Sequence, residues 1–337
     1  MNDLRVRVAL SLLSLLIVCT THVSAQHYAA VFLGSGHHMT VLGVNDSGVS
    51  VGRIGLAYSN TAALRWSPTG VVTNLGTLGG TFAEARAINN LGQIVGDSLL
   101  AGDSTFHAFR WTPGSGMQDL GTLDGGDSFA YAINKHGVVV GESRSDSIDH
   151  AIRWTRRGGM QDLGVLGGFF SRATGINSAG HIVGSATLPD QSLHAFFWTA
   201  QHGMTQLDLG PTTLSEAAAI NDSDQVVGYY VSPQDGMPHA FLWDPTTGFH
   251  DLGGLREFGC FSFAYGINNS GDVVGISYIL IADQRRGHSV IWKHGGPIQQ
   301  LGPLVVPKTR LRRGAMGINA SGQIAANGAG AWLLTPQ

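Results

Sequence analysis

Apolar and polar positions from about residue 28 onward do not follow a helical period. They form short runs rich in valine, isoleucine, phenylalanine and tryptophan, cut by glycine, asparagine, serine and proline. That is the pattern of short β-strands joined by tight turns. The runs also recur as a unit, clearest in AINNLGQIVG at 87–96 followed by HAFRWTPGSGMQDLGTL at 107–123. The Asn of the first motif returns at Asn45, Asn89, Asn134, Asn177, Asn221, Asn268 and Asn319, so there are seven copies. Seven residues beyond it stands Gly52, Gly96, Gly141, Gly184, Gly228 or Gly275, with Ala326 in the last copy. A tryptophan run and a Leu-Gly run follow, giving four strands in roughly 44 residues, the period of a propeller blade. The expected fold is therefore all-β: a seven-bladed β-propeller with four-stranded blades.

The two ends fit that expectation together. The seventh copy stops after its third strand, whereas YAAVFLGSG at 28–36 carries a Leu33-Gly34 pair ahead of the first Asn. The N-terminal strand is thus expected to complete the last blade and close the ring, hiding two sheet edges that would otherwise invite pairing with other chains.

Before that strand, residues 1–25 read as a secretory signal peptide: Arg5 and Arg7, an apolar run from Val8 to Cys19, then Val23-Ser24-Ala25 as the cleavage site. Lipid attachment at Cys19 is the alternative. Residues 26–337 form a single expected domain, secreted or periplasmic and monomeric. Cleavage at Ala25 leaves Cys260 as the one cysteine, so no internal disulfide can form. No later apolar run reaches membrane-spanning length. A net charge of −3 without a basic stripe argues against nucleic acid as a partner.

In a four-stranded blade the first and third hairpins share one face, while the second hairpins and the links between blades share the other. The first face is monotonous here, and the second carries the length variation, with the longest inserts at 256–262, 277–287 and 305–313. Variable loops on a rigid scaffold are where repeat proteins carry binding.

Candidate chemistry starts with His107, His150, His194, His239 and His288, one per copy. Spread around a ring they cannot share one ion, so they are expected to be structural, each bonding to a neighbouring blade, and no metal or cofactor is assigned. The seven tryptophans, one in each third strand, are expected to pack between blades. Asn-x-x-Gly lacks the carboxylates of a calcium loop and reads as a turn in which Gly supplies positive φ. Four positions before the Asn the residue is nearly always Ala, which suggests close packing.

Five and three positions before the Asn, the copies diverge. Glu84, Arg86, Tyr131, Arg172, Glu216 and Tyr265 fall there, at the start of the innermost strands and so at the expected channel mouth. Arg312 and Arg313 lie in the last variable insert. These eight residues are the expected ligand-binding set. The function they suggest is binding of an extracellular glycan or protein through the variable face. The rival reading is a polysaccharide lyase or glycoside hydrolase using Glu84, Glu216, Arg172 and Tyr131. A third is a scaffold without a small ligand. No residue is assigned as catalytic, because none of the common catalytic motifs occurs.

The HAF triplets at 107, 194 and 239, with Ile-Asn-x-x-Gly and the Leu-Gly-x-Leu-Gly-Gly of 75–80, resemble the extracellular HAF repeat family of bacteria. The resemblance runs the length of the mature chain and implies a secreted or surface propeller-like protein. It implies no particular activity.

Overall fold

The computed structural model describes residues 27–35, 39–56, 59–145, 149–255, 260–281, 284–294, 296–302, 305–306, 314–328 and 330–337. The expected signal peptide, Cys19, Arg312 and Arg313 lie outside these residues. Among the described residues there is no helix, and the fold is all-β.

Each repeat copy folds as a meander of antiparallel strands. One four-stranded sheet runs Asp127–Ile133, Val139–Arg144, Asp149–Thr155 and Gly159–Asp162. The next three copies form sheets of the same kind, starting with Ser171–Ile176, Ser215–Ile220 and Cys260–Ile267. The first two copies are joined through a single parallel bridge, Thr61 to Phe82, and so count as one eight-stranded sheet. In the last copy, Tyr28–Ser35 lies antiparallel to Gly330–Pro336, from Tyr28 opposite Pro336 to Ser35 opposite Gly330. The N-terminal strand therefore completes that sheet, as expected. A fifth strand, Val305–Val306, adds in parallel beside Tyr28 and Ala29, which the repeat arithmetic did not anticipate.

Innermost strands touch their counterparts in successive copies from Met39–Val44 onward, and Ala315–Ile318 in the last copy touches Met39–Val44 in the first. The recurring Gly explains how they fit. Every innermost strand pairs with the second strand through a bulge, as between Ala130 and Ala132 opposite Gly141. A bulge pushes one backbone carbonyl toward its partner strand. A Cβ at Gly141 would lie 1.8 Å from the Phe129 carbonyl oxygen, and at Gly96 1.8 Å from that of Glu84, so only glycine fits. The seventh copy holds Ala326 instead, and there the facing strand is preceded by Gly314 at φ +99°.

The core lies between neighbouring sheets. Val95, Ala108 and Leu120 of the second copy pack against Ala130, Ile133, Val139 and Trp154 of the third. The alanines four positions before the Asn are all buried here, as close packing requires. Trp292 shows how tryptophan serves the joint: its indole N–H donates to the Leu252 carbonyl of the preceding copy at 2.8 Å. Buried serines stitch the same joints. Ser128 Oγ accepts from Ala108 N at 2.8 Å and donates to the Gly121 carbonyl at 2.6 Å, and Ser171 repeats this with Ala151 and Gly164.

Candidate functional site

At one end of the innermost strands stand the seven asparagines. Each side-chain oxygen accepts from its own turn, as Asn134 Oδ1 does from His136 N and Val138 N at 3.0 and 3.1 Å. Each side-chain amide donates to the backbone carbonyl of the next copy's asparagine: Asn45 to Asn89, Asn89 to Asn134, Asn134 to Asn177, Asn177 to Asn221, Asn221 to Asn268 and Asn268 to Asn319. Asn319 donates to Asn45 at 2.8 Å. Donating and accepting at once excludes aspartate, whose ionised side chain only accepts. The glycine three residues on adopts positive φ, +75° at Gly137, and Asp224, which replaces it in one copy, sits at +61°. The turn reading holds, and the bond between copies adds to it a link that no sequence motif marks. These asparagines and the isoleucines before them line a depression of about 230 Å³.

The other end carries the divergent residues. Arg86 donates from Nε to Asp97 at 2.6 Å and pairs through Nη2 with Glu84 at 2.9 Å, while Arg53 Nε lies 3.3 Å from the same glutamate. Arg86 also covers the Tyr131 ring, 5.1 Å from its centroid, and Arg172 covers it at 5.8 Å. Tyr131 Oη donates to Glu142 at 2.5 Å, and Glu142 further accepts from Arg172 Nε at 3.0 Å and from Arg144. Beyond Arg172, Tyr229 donates to Glu216. An aromatic bank follows: the Tyr229 and Phe263 rings are 4.9 Å apart, Phe263 stacks on Tyr265 at 6.5 Å, and Tyr278 meets Phe263 edge-on at 6.2 Å.

The expected residues Glu84, Arg86, Tyr131 and Arg172 are thus in one network, and Glu216 and Tyr265 continue around the same end. The charges do pair, but the carboxylates are buried beneath the arginines: Glu84, Asp97 and Glu142 side chains are at most 6% exposed, against 28–41% for Arg53, Arg86, Arg144 and Arg172.

Burial pushes the Asp97 carboxyl up to about 6, with Arg86 opposing. Burial pulls the Arg86 guanidinium down, yet Asp97 and Glu84 reverse this and hold it above its ordinary value. Tyr131 and Tyr229 are raised by burial and by the carboxylates accepting from them, and Tyr265 is pushed up to about 12 by burial and Tyr278. Tyr131, Tyr229 and Tyr265 are thus held in the neutral form.

Arg53, Asp97, Glu142 and Tyr229 were missed from the sequence. Each directly follows the recurring glycine and is the cross-strand partner of the residue five before the Asn, as Asp97 is of Glu84 and Glu142 of Phe129. Counting onward from the glycine would have found them. Arg144 and Tyr278 lie two residues further along the same strands.

The repeated histidines also need correction, because they bond within their own sheet. His107 Nδ1 meets Asp119 at 2.9 Å, His150 meets Asp162 at 2.8 Å, and His239 meets Asp251 at 2.9 Å, with Gln206 and Gln300 serving His194 and His288. The partner is always twelve residues on, in the fourth strand. Among the described residues no group of three or more His, Cys, Asp or Glu is placed to hold a metal ion.

No protein-family model matches the chain, and no curated protein matches it in sequence. Among solved structures it resembles puromycin hydrolase, with a TM-score of 0.55 at 12% identity over 90% of this chain and 52% of that one. It also resembles an acylaminoacyl peptidase of Pyrococcus horikoshii, with a TM-score of 0.52 at 11% identity over 86% of this chain and 48% of that one. The chain spans about half the length of these two proteins, and the likeness concerns the fold. The SapL1 lectin, solved with alpha methyl fucoside, aligns at 15% identity and a TM-score of 0.46 over 80% of this chain and 97% of that one. The all-β fold is propeller-like.

Proposed function

We propose that the chain is a closed seven-bladed β-propeller, a secreted member of the HAF repeat family, that binds an extracellular glycan at the channel mouth on its variable-loop face. Closure is supported by the asparagine cycle and by the contact of the last innermost strand with the first.

The observation that carries the binding reading is the division of the mouth into two banks. Arginine edges resting on buried carboxylates occupy one side, and the Tyr229, Phe263, Tyr265 and Tyr278 rings the other. Guanidinium edges held from beneath donate to hydroxyls at little ordering cost, and aromatic faces take the C–H face of a sugar ring. The proposal keeps Arg312 and Arg313, which lie outside the described residues, as further ligand contacts.

The lyase or hydrolase reading needs a carboxyl or tyrosine free to exchange a proton. Glu84 and Glu142 are each engaged by two arginines, Glu216 by a tyrosine, and Tyr131 is raised. These pairings favour binding over turnover.

The test incubates the purified protein with a panel of bacterial and plant polysaccharides and follows retention and chain length together. Retention at unchanged length, weakened tenfold or more by Arg172→Gln and by Tyr265→Ala, is expected. Shortened chains would replace this reading with the enzyme, and absence of retention would turn it to a protein partner. Secretion predicts a mature chain beginning at Gln26, which N-terminal sequencing of protein from the culture medium checks.

A further inference from the structure

Away from the mouth, the repeat departs from itself at Thr155-Arg156-Arg157, the turn between third and fourth strands of the third copy. This turn borders a groove of about 490 Å³ between the second and third copies, on the side of the asparagine turns. Arg110, Arg156 and His136 line it together with the polar side chains of Gln93, Gln118 and Thr155, and no carboxylate lines it.

Arg110 is fixed there. Its guanidinium lies 4.8 Å over the Trp154 ring, and Nη2 donates to Gln118 Oε1 at 2.9 Å. Its Nε is buried without a hydrogen-bond partner. Among the described residues no ion pair involves Arg110, Arg156 or His136, in a chain with 23 acidic against 20 basic residues. Burial and the nearby Arg156 both hold the Arg110 guanidinium below its ordinary value, as expected of a cation facing a cation without a counter-charge.

This combination occurs at one joint. Where Arg156 stands, other copies have Pro68, Pro113, Ala200, Pro245 and His294, and where His136 stands they have Ser47, Leu91, Ala179, Ser223, Ser270 and Ser321. The neighbouring copies do keep Arg65 and Arg153 at the position of Arg110, so that arginine is part of the repeat and the added cations are not. A concave site with two guanidiniums, an imidazole and neutral donors, and no acid, suits a planar or tetrahedral oxyanion. Its volume suits a sugar-sized ligand.

We propose that this groove binds the carboxylate or sulfate group of an acidic monosaccharide unit, independently of the mouth. The test is calorimetric titration of the purified protein at low salt with glucuronate, glucose 6-sulfate and glucose. Either or both anions are expected to bind, with glucose at least tenfold weaker and sodium sulfate competing. The uronate and sulfate arms tell which anion is preferred. Arg156→Ser, at an exposed position, and His136→Ser, which introduces the residue other copies carry, should each weaken the anion tenfold or more. Arg172→Gln at the mouth should leave it unchanged. Equal binding of glucose, no binding of either anion, or full binding by Arg156→Ser and His136→Ser would overturn the proposal.

Discussion

Asn319 Nδ2 donates to the Asn45 backbone carbonyl at 2.8 Å across 274 positions of sequence. The same bond joins every other consecutive pair of copies over only 43 to 51 positions. One side chain therefore shapes its own turn and holds the next one. Replacing Asn319 by Asp keeps the acceptor, removes the donor and sets a negative charge beside a carbonyl. The expected loss is about 1–3 kcal/mol in urea unfolding. Stability equal to that of the unaltered protein would show that the cycle is ornamental.

Glycines of two kinds should respond differently. Gly141→Ala meets a carbonyl oxygen at 1.8 Å and should prevent folding or cost more than about 3 kcal/mol by forcing the bulge apart. Gly114→Ala, at φ +79° with open space around it, should cost about 1 kcal/mol, the strain of positive φ alone. Thermal melts of the two variants give the comparison directly, and equal losses would contradict the account of the bulge.

Glu142 has its side chain fully buried, accepting from Tyr131, Arg144 and Arg172. Glu142→Gln takes the carboxylate from Arg172 and leaves Arg144 with Asp149 alone, at 3.4 Å, and should cost about 3–5 kcal/mol. Arg144→Gln, at a half-exposed side chain, should cost less than about 1 kcal/mol. Chemical denaturation that ranks them the other way would mean the network is held from the solvent side.

Asp97 gives a pH signature. Its folded carboxyl is pushed up to about 6, above the ordinary 3.8, by burial. Between those values the folded state binds more protons than the unfolded one, so this group's contribution to stability grows as pH falls through 6 and is lost as pH rises. The full effect is bounded at about 3 kcal/mol. Asp97→Asn should remove it, so the stability difference between the two proteins should change between pH 7 and pH 4. A constant difference would place the carboxyl at its ordinary value.

Much of the architecture was legible because the constraints are local and recur seven times. The bulge demands glycine at a fixed distance from the turn asparagine, and both residues stand out in the sequence. The pairing of Tyr28–Ser35 with Gly330–Pro336 was legible as a missing piece at one end and a spare at the other. The candidate site was half legible. Glu84, Arg86, Tyr131 and Arg172 were found as departures from the repeat, but Asp97 and Glu142 sit on the neighbouring strand and become partners only through cross-strand register. The histidines' partners were misplaced because the aspartates and glutamines they meet lie in a different run, and a hairpin brings together residues twelve apart. Among the described residues the fifth strand, Val305–Val306, has no counterpart in the other copies, and nothing periodic announces it.

The pairing of Tyr28–Ser35 with Gly330–Pro336 makes one sheet unlike the rest in how it is assembled. Six copies draw all their strands from one stretch of chain, while this one waits for the first and last segments to meet. It behaves as a clasp: the earlier sheets can stack as the chain emerges, and the structure locks when the clasp is fastened. Pulled by its two ends, the protein should open there first, one strand peeling from its neighbour before any other sheet is disturbed.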